Sequence, residues 1–206
     1  MINPYKAHPW HGVSAGENIP EQVTVFVEIV SSDTVKYEID KESGFLKIDR
    51  PQKYSNTIPS LYGFIPRTYS GGRVAEFARA QGATAVVRGD ADPLDICVLT
   101  SHHIPHGNIL LQAIPIGGLC LIDKGEADDK IIAVMVDDPL YRQYSDIGQL
   151  PEAITDRLKH YFLTYKNLPG EPLTVQITEV YDRAAAHQVI LHSVMDYQDL
   201  CASSEQ

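Results

Sequence analysis

Asp90-Ala91-Asp92-Pro93-Leu94-Asp95-Ile96, running straight into Cys97-Val98-Leu99, sets three carboxylates at the mouth of an apolar strand. The acids follow Gly89, on a segment stiffened by Pro93. Like charges this close disfavour one another's ionised forms, and multivalent cations relieve the repulsion. Oxygen ligands at this density suit Mg²⁺, Mn²⁺ or Ca²⁺ better than zinc. A solvated acidic loop is the ordinary alternative for an Asp triplet. The strand that follows weakens it, because it anchors the acids to the core.

Working outward, residues 23–29 are β-branched and read as a strand. Residues 35–40 alternate, with Val35, Tyr37 and Ile39 on one side and Lys36, Glu38 and Asp40 on the other. Lys41-Glu42-Ser43-Gly44 turns the chain into a strand over 45–49. Further strands are expected at 96–100, 109–116, 119–123, 130–136 and 173–180. A helix is predicted over 151–165, where Ile154, Leu158, Tyr161, Phe162 and Tyr165 form one stripe between Pro151 and the stop at Pro169-Gly170. A second is predicted over 182–200, with Ala186, Val189, Ile190, Val194 and Tyr197 on one face. Strands first and helices later give an α+β chain, mainly β, with a small barrel as the favoured β architecture. Residues 69–88, with Gly71-Gly72 and an Ala-rich run, read as an insertion at the surface before the acidic stretch.

The 206 residues suffice for one domain, here 1–206, and 44% hydrophobic with 21% charged residues is ordinary globular composition. A net charge of −10 argues against nucleic acid or an anionic membrane as partner. An acidic protein acting on an anion needs cations to reverse its local field. Cys97, Cys120 and Cys201 are too few and too scattered for a disulfide framework or a zinc ribbon. Residues 1–10 lack an apolar leader, and no apolar run approaches a membrane span, so the expected location is the cytoplasm.

A second acidic run is Asp123-Lys124-Gly125-Glu126-Ala127-Asp128-Asp129-Lys130. Asp123 and Asp128 flank a turn between two predicted strands, so both can point to one end of a sheet. Neither acidic run has the glycine of a calcium-binding EF-hand loop at its sixth position. His102, His103 and His106 fall beside Pro105 and Gly107 in a turn, which disfavours a zinc site. His8 and His11 around Trp10 read as local packing, His187 and His192 as helix-surface residues, and Asp137-Asp138-Pro139 as a turn.

The pattern Asp, small, Asp, Pro, apolar, Asp, apolar at 90–96 resembles the signature of the family I soluble inorganic pyrophosphatases. Glu28, the run from Lys36 to Gly44, Asp49-Arg50 and Tyr62-Gly63-Phe64-Ile65-Pro66 match the family's earlier segments. Asp123, Asp128 and Lys130 match its second acidic loop, and His160-Tyr161-Phe162 with Tyr165-Lys166 its C-terminal helix. The likeness covers roughly residues 10–170, in order. Ala91 departs from the usual residue of its slot, Ile58 stands where a Tyr is common, and 69–88 is longer than usual.

The resemblance implies a five-stranded OB-like closed barrel with flanking helices. It also implies Mg²⁺-dependent hydrolysis of pyrophosphate, which arrives as its Mg²⁺ complex, by a metal-activated water. Asp90, Asp95, Asp123 and Asp128 would be ligands to several Mg²⁺ ions, for which Mn²⁺ can substitute. Asp92 would be the general base, Glu28 would hold a metal-bound water, and Tyr62 would serve both catalysis and substrate. Lys36, Arg50, Lys130, Tyr165 and Lys166 would grip phosphate, with Glu38 and Asp49 as further polar residues. A homo-oligomer is implied, a hexamer ahead of a dimer. Two other functions use the same features: a metal-dependent phosphohydrolase of nucleotides or polyphosphate, and a non-catalytic OB-fold binder of an anion.

Overall fold

The computed structural model describes residues 7–53, 55–167 and 170–204. The described chain runs β1 (Val23–Ile29), β2 (Val35–Ile39), β3 (Leu46–Pro51), β4 (Leu61–Phe64), α1 (Gly72–Ala80), β5 (Arg88–Gly89) and β6 (Asp95–Leu99). It continues with β7 (Ile109–Asp123), β8 (Glu126–Ala127), β9 (Lys130–Met135), α2 (Glu152–Thr164), β10 (Val175–Asp182) and α3 (Arg183–Ser204). The fold is mainly β, built on one large mixed sheet with three helices against it.

The sheet has eight strands, and β2 and β3 form a separate two-stranded hairpin. β1 pairs antiparallel with both β4 and β7. β4 pairs with β6, β6 runs parallel to β9, and β9 pairs with β7, so the series of pairings returns to β1. β10 and the two-residue β8 are added along β7.

Strand alternation explains how the core divides. On β6, Ile96 and Val98 join a cluster with Val74 and Ala75 of α1 and Val189 and Ile190 of α3. Their neighbours Cys97 and Leu99 join another, with Leu158, Phe162 and Tyr165 from the α2 region. β9 repeats the division, Ile131 and Ala133 against Ile132 and Val134. Apolar material therefore covers both sides of these strands, and all seven residues of β1 are buried. Each fully buried Ile or Phe contributes about 1.5–3 kcal/mol of transfer free energy.

Several expected elements differ in extent. Segments 109–116 and 119–123 are one strand of 15 residues passing through Gly117-Gly118. Gly118 is a close approach and not a turn, since a Cβ there would lie 2.3 Å from the Tyr181 ring on β10. The first predicted helix begins at Glu152 behind Pro151 and ends at Thr164; Pro169, read as part of its stop, lies outside the described residues. The second continues to Ser204.

Residues 69–88 are not a surface excursion. They contain α1, whose Val74, Ala75 and Ala78 are buried, and they add Ala83 and Val86 to the main core. Glycines at both ends and the small, short helix hide the 3.6-residue pattern. β4 was unpredicted as a strand for a similar reason, being four residues with Gly63 inside.

Candidate active site

The two acidic runs meet because β6 and β9 are parallel neighbours. Asp95, the first residue of β6, is the register partner of Lys130, the first residue of β9. The Lys130 ammonium donates to Asp95 Oδ2 at 2.5 Å and also to Asp128 Oδ1. Tyr62, on the neighbouring β4, donates its hydroxyl to the same Asp95 oxygen at 2.5 Å. Asp90 is hydrogen-bonded to Asp128. Asp90, Asp95, Asp128, Lys130 and Tyr62 are therefore one contiguous polar knot, and its lysine is only 2% exposed.

Its electrostatics follow from burial and crowding. Burial pushes the Asp90 carboxyl well up from its ordinary value, with the Asp128 charge adding to it. Burial also raises Asp95, against the opposing pull of Lys130. Asp128 is likewise penalised by burial, but Lys130 and the hydrogen bond to Asp90 outweigh that and hold it down. Burial lowers the Lys130 ammonium, while Asp128 and Asp95 overcome this and hold it well up. Burial and the Asp95 charge push the Tyr62 hydroxyl well up, so it stays a donor. One ammonium thus serves carboxylates that repel one another at this spacing.

Asp123, the last residue of β7, binds the Lys166 ammonium, which follows α2. Burial pulls Lys166 down, and the Tyr165 and Asp123 groups more than restore it. Two cations lie over the Tyr165 ring, Lys166 Nζ 5.3 Å and Arg50 Cζ 5.7 Å from its centroid.

The remaining cationic groups ride on the β2–β3 hairpin. Lys36 Nζ lies 3.1 Å from Asp49 and 3.2 Å from Glu38, and Arg50 pairs with Asp49. Burial lowers Lys36, but Asp49 first and then Glu38 carry it above its ordinary value. Glu28 on β1 joins hairpin to sheet, Oε1 accepting from Ile39 N at 2.6 Å. Burial, with Asp95 nearby, raises Glu28 to about 8. Between hairpin and sheet opens a cavity of about 460 Å³ lined by Glu28, Lys36, Glu38, Tyr62, Asp92 and Asp95 among others.

Asp92 stands apart from the knot. Its side chain is 49% exposed and pairs with Lys41 of the hairpin turn. Its own N–H donates to Asp90 Oδ1 at 3.1 Å, and Ala91 between them is left-handed at φ 64°. Lys41 is the site-facing residue that sequence reasoning missed. It was read as part of a polar turn, and only the fold of the hairpin carries it to Asp92 and to the Ala91 carbonyl, 3.2 Å away.

The donor set fits a hard divalent cation. It is all carboxylate oxygen, and Asp123 Oδ1 is buried with no hydrogen-bond partner. Among the described residues no three His, Cys, Asp or Glu side chains converge as a ready ligand cage. Asp95 and Asp128 are drawn instead onto the Lys130 ammonium. His102 and His103 are exposed in a loop, as is His106. Ile58 is buried in the apolar cluster that holds Tyr62 and Tyr165, so its slot brings packing and no hydroxyl.

The inorganic pyrophosphatase family model matches residues 25–198. Over 195 residues the chain is 48% identical to the inorganic pyrophosphatase of Chlamydia caviae, covering 92% of this chain and 90% of that one. It is 37% identical to soluble inorganic pyrophosphatase 4 of Arabidopsis thaliana, over 94% of this chain and 80% of the relative. The crystal structure of inorganic pyrophosphatase from Thermus thermophilus superposes with a TM-score of 0.78 at 28% identity, covering 93% of this chain and 99% of the other. With Asp95 and Lys130 facing each other on one parallel strand pair and the likeness spanning nearly the whole chain, this protein belongs to the inorganic pyrophosphatase family.

Proposed function

We propose that the chain hydrolyses inorganic pyrophosphate to two phosphates in a magnesium-dependent reaction, by direct attack of water on phosphorus. The observation that carries the reading is the meeting of Asp95 and Asp128 on the buried Lys130 ammonium, with Asp90 against Asp128, in a member of this family. Bound to Asp90, Asp95, Asp123 and Asp128, several Mg²⁺ ions, or Mn²⁺ in their place, would supply an acidified water and shield the phosphates' charge.

The chain's own residues divide the remaining work. Asp92 takes the proton of the attacking water, whose oxygen bonds to phosphorus as the bridging P–O bond breaks toward the departing phosphate. Glu28, lining the same cavity, orients that water. Lys130 has three N–H donors, two of them engaged by Asp95 and Asp128, which leaves one for a phosphate oxygen. Arg50 grips two oxygens with its planar fork, while Lys36 and Lys166 act as point charges. Tyr62 and Tyr165 present hydroxyls, and Glu38 and Asp49 hold the Lys36 ammonium in place.

The pairing of β1 with both β4 and β7 supports reading β1, β4, β6, β9 and β7 as a closed five-stranded OB-like barrel. We read the working form as a cytoplasmic homo-oligomer, a hexamer ahead of a dimer, and exposed Leu110, Val180 and Met195 offer apolar surface for it. Nucleic acid is not a partner on a chain of net charge −10, and among the described residues no helix is long and apolar enough to cross a membrane.

The test is phosphate release from pyrophosphate with Mg²⁺ titrated from zero, beside nucleoside triphosphates and tripolyphosphate. Turnover that needs Mg²⁺ and favours pyrophosphate is expected. Faster release from the longer substrates would move the function to nucleotides or polyphosphate. Silence from folded protein would leave an anion binder.

A further inference from the structure

The turn that carries Asp90 and Asp92 is held from outside by a short strap, residues 69–71. On one side the strap bonds to the turn: Ser70 N donates to the Asp92 carbonyl at 2.8 Å, and Ala91 N donates to the Ser70 carbonyl at 3.1 Å. On the other side it bonds to α3. Tyr69 N donates to the Ser193 carbonyl at 2.9 Å, and the Asp196 carboxylate accepts from the N–H groups of Gly71, Arg73 and Val74 at 3.1–3.2 Å. The strap and the acidic segment cross with no slack, since a Cβ on Gly89 would stand 2.0 Å from the Ser70 carbonyl oxygen.

Two features make this more than a helix cap. Ala91 is left-handed at φ 64°, a conformation unfavourable for a residue with a Cβ. Its N–H bond to Ser70 is one of the contacts that keep it there. Asp196, moreover, is itself 6% exposed and sits on a helix whose Ala186, Val189 and Ile190 are in the core, so the strap is tied to a fixed point.

We propose that Asp196 is a positioning residue for the proposed base: through the strap it sets the backbone of Ala91 and Asp92. The claim rests on the hydrolysis reading above. Residues 69–88 are then the wedge that couples α3 to the acidic turn. Asp196 touches neither substrate nor the reacting atoms. Its effect enters through orientation, where a displacement of about 1 Å costs roughly 10²-fold.

The experiment compares Asp196→Ala and Asp196→Asn with His192→Ala. His192 packs edge-on against Phe77 across the same α1–α3 seam, at 5.2 Å between ring centroids. Each variant is scored for kcat, KM, melting temperature and amide hydrogen exchange over residues 89–94. In Asp196→Ala we expect kcat to fall about tenfold to a hundredfold, with KM within about twofold and faster exchange over 89–94. Asp196→Asn, which keeps the volume and one acceptor oxygen, should lie between it and wild type. His192→Ala should keep kcat and exchange even where its melting temperature falls as far.

Wild-type kcat and exchange in Asp196→Ala, or equal losses in His192→Ala at matched stability, would overturn the proposal. Should Asp196→Ala not fold, Asp196→Asn decides by the same two readouts. Should wild type release no phosphate, the hydrolysis reading falls, and with it the positioning of a base. Exchange over 89–94 then still reports separately whether Asp196 holds the turn.

Discussion

Lys130 and Asp95 face each other as register partners on the parallel strands β9 and β6, with the ammonium donating to Asp95 Oδ2 at 2.5 Å. The lysine has almost no contact with water, so its charge depends on Asp95 and Asp128. The Phe162 ring lies on another side, 5.8 Å from Nζ to its centroid.

Lys130→Met should therefore destabilise the metal-free protein by about 3–5 kcal/mol, the usual cost of stranding buried charges by removing their partner. Urea unfolding in a chelator measures it. Millimolar Mg²⁺ should restore more stability to the variant than to wild type, because a bound cation takes over the neutralisation. A loss below about 1 kcal/mol would make the pair no stronger than an exposed one.

Asp92→Asn should leave fold and Mg²⁺ affinity nearly unchanged, because the half-exposed side chain is not part of the buried knot and the backbone bonds of the turn remain. Turnover should drop by about 10²–10⁴, the range of general-base assistance. Single-turnover phosphate release, paired with Mg²⁺ titration calorimetry, reads both. A near-wild-type rate would remove Asp92 as the base.

Asp138 gives a pH dependence with a definite sign. This buried carboxylate accepts from Ser101 N at 2.7 Å, Tyr141 N at 2.9 Å, Leu140 N at 3.0 Å and Thr100 Oγ1 at 2.8 Å. Burial raises it, but these donors, Tyr141 and Ser101 foremost, dominate and hold it far below the ordinary carboxylate value. A depressed folded-state pKa means the folded chain binds the proton more weakly than the unfolded one. The stabilisation is complete above about pH 4, the unfolded value, and is lost as pH falls below it. Asp138→Asn should cost about 1.5–3 kcal/mol at pH 7, with the gap to wild type narrowing at pH 3. A constant gap in urea midpoints would show that the charge is not what those donors hold.

The strands with clean chemistry were readable in the sequence. Alternation marked Val35–Ile39, β-branching marked Val23–Ile29, and the helix stripe gave Glu152–Thr164 nearly end to end. α1 was not readable, because its buried face is Val74, Ala75 and Ala78, too small and short to print a period. Gly117-Gly118 looked like a break and is a strand interior, because its reason lies on another strand, in Tyr181. The candidate site divides likewise. The aspartates were legible from their density and from family likeness, as were Lys130 and Lys166. Lys41 and Asp196 were not, since each reaches the acidic turn only through tertiary contact: Lys41 from the end of a hairpin, Asp196 from the far helix.

The β2–β3 hairpin is hydrogen-bonded as a sheet of its own, yet it supplies Lys36, Glu38, Asp49 and Arg50, while Asp90, Asp92, Asp95, Asp123 and Asp128 belong to the large sheet and its loops. On the proposed reading, Lys36 and Arg50 of the phosphate grip thus ride on backbone separate from the strands that hold Asp95 and Lys130. Re-angling that hairpin would move Lys36 and Arg50 relative to the strand pair beneath, and would pull on Asp92 through Lys41 and on Glu28 through Ile39. Substrate reach and reaction chemistry are, in this architecture, tied together at two bonds, Lys41 to Asp92 and Ile39 to Glu28.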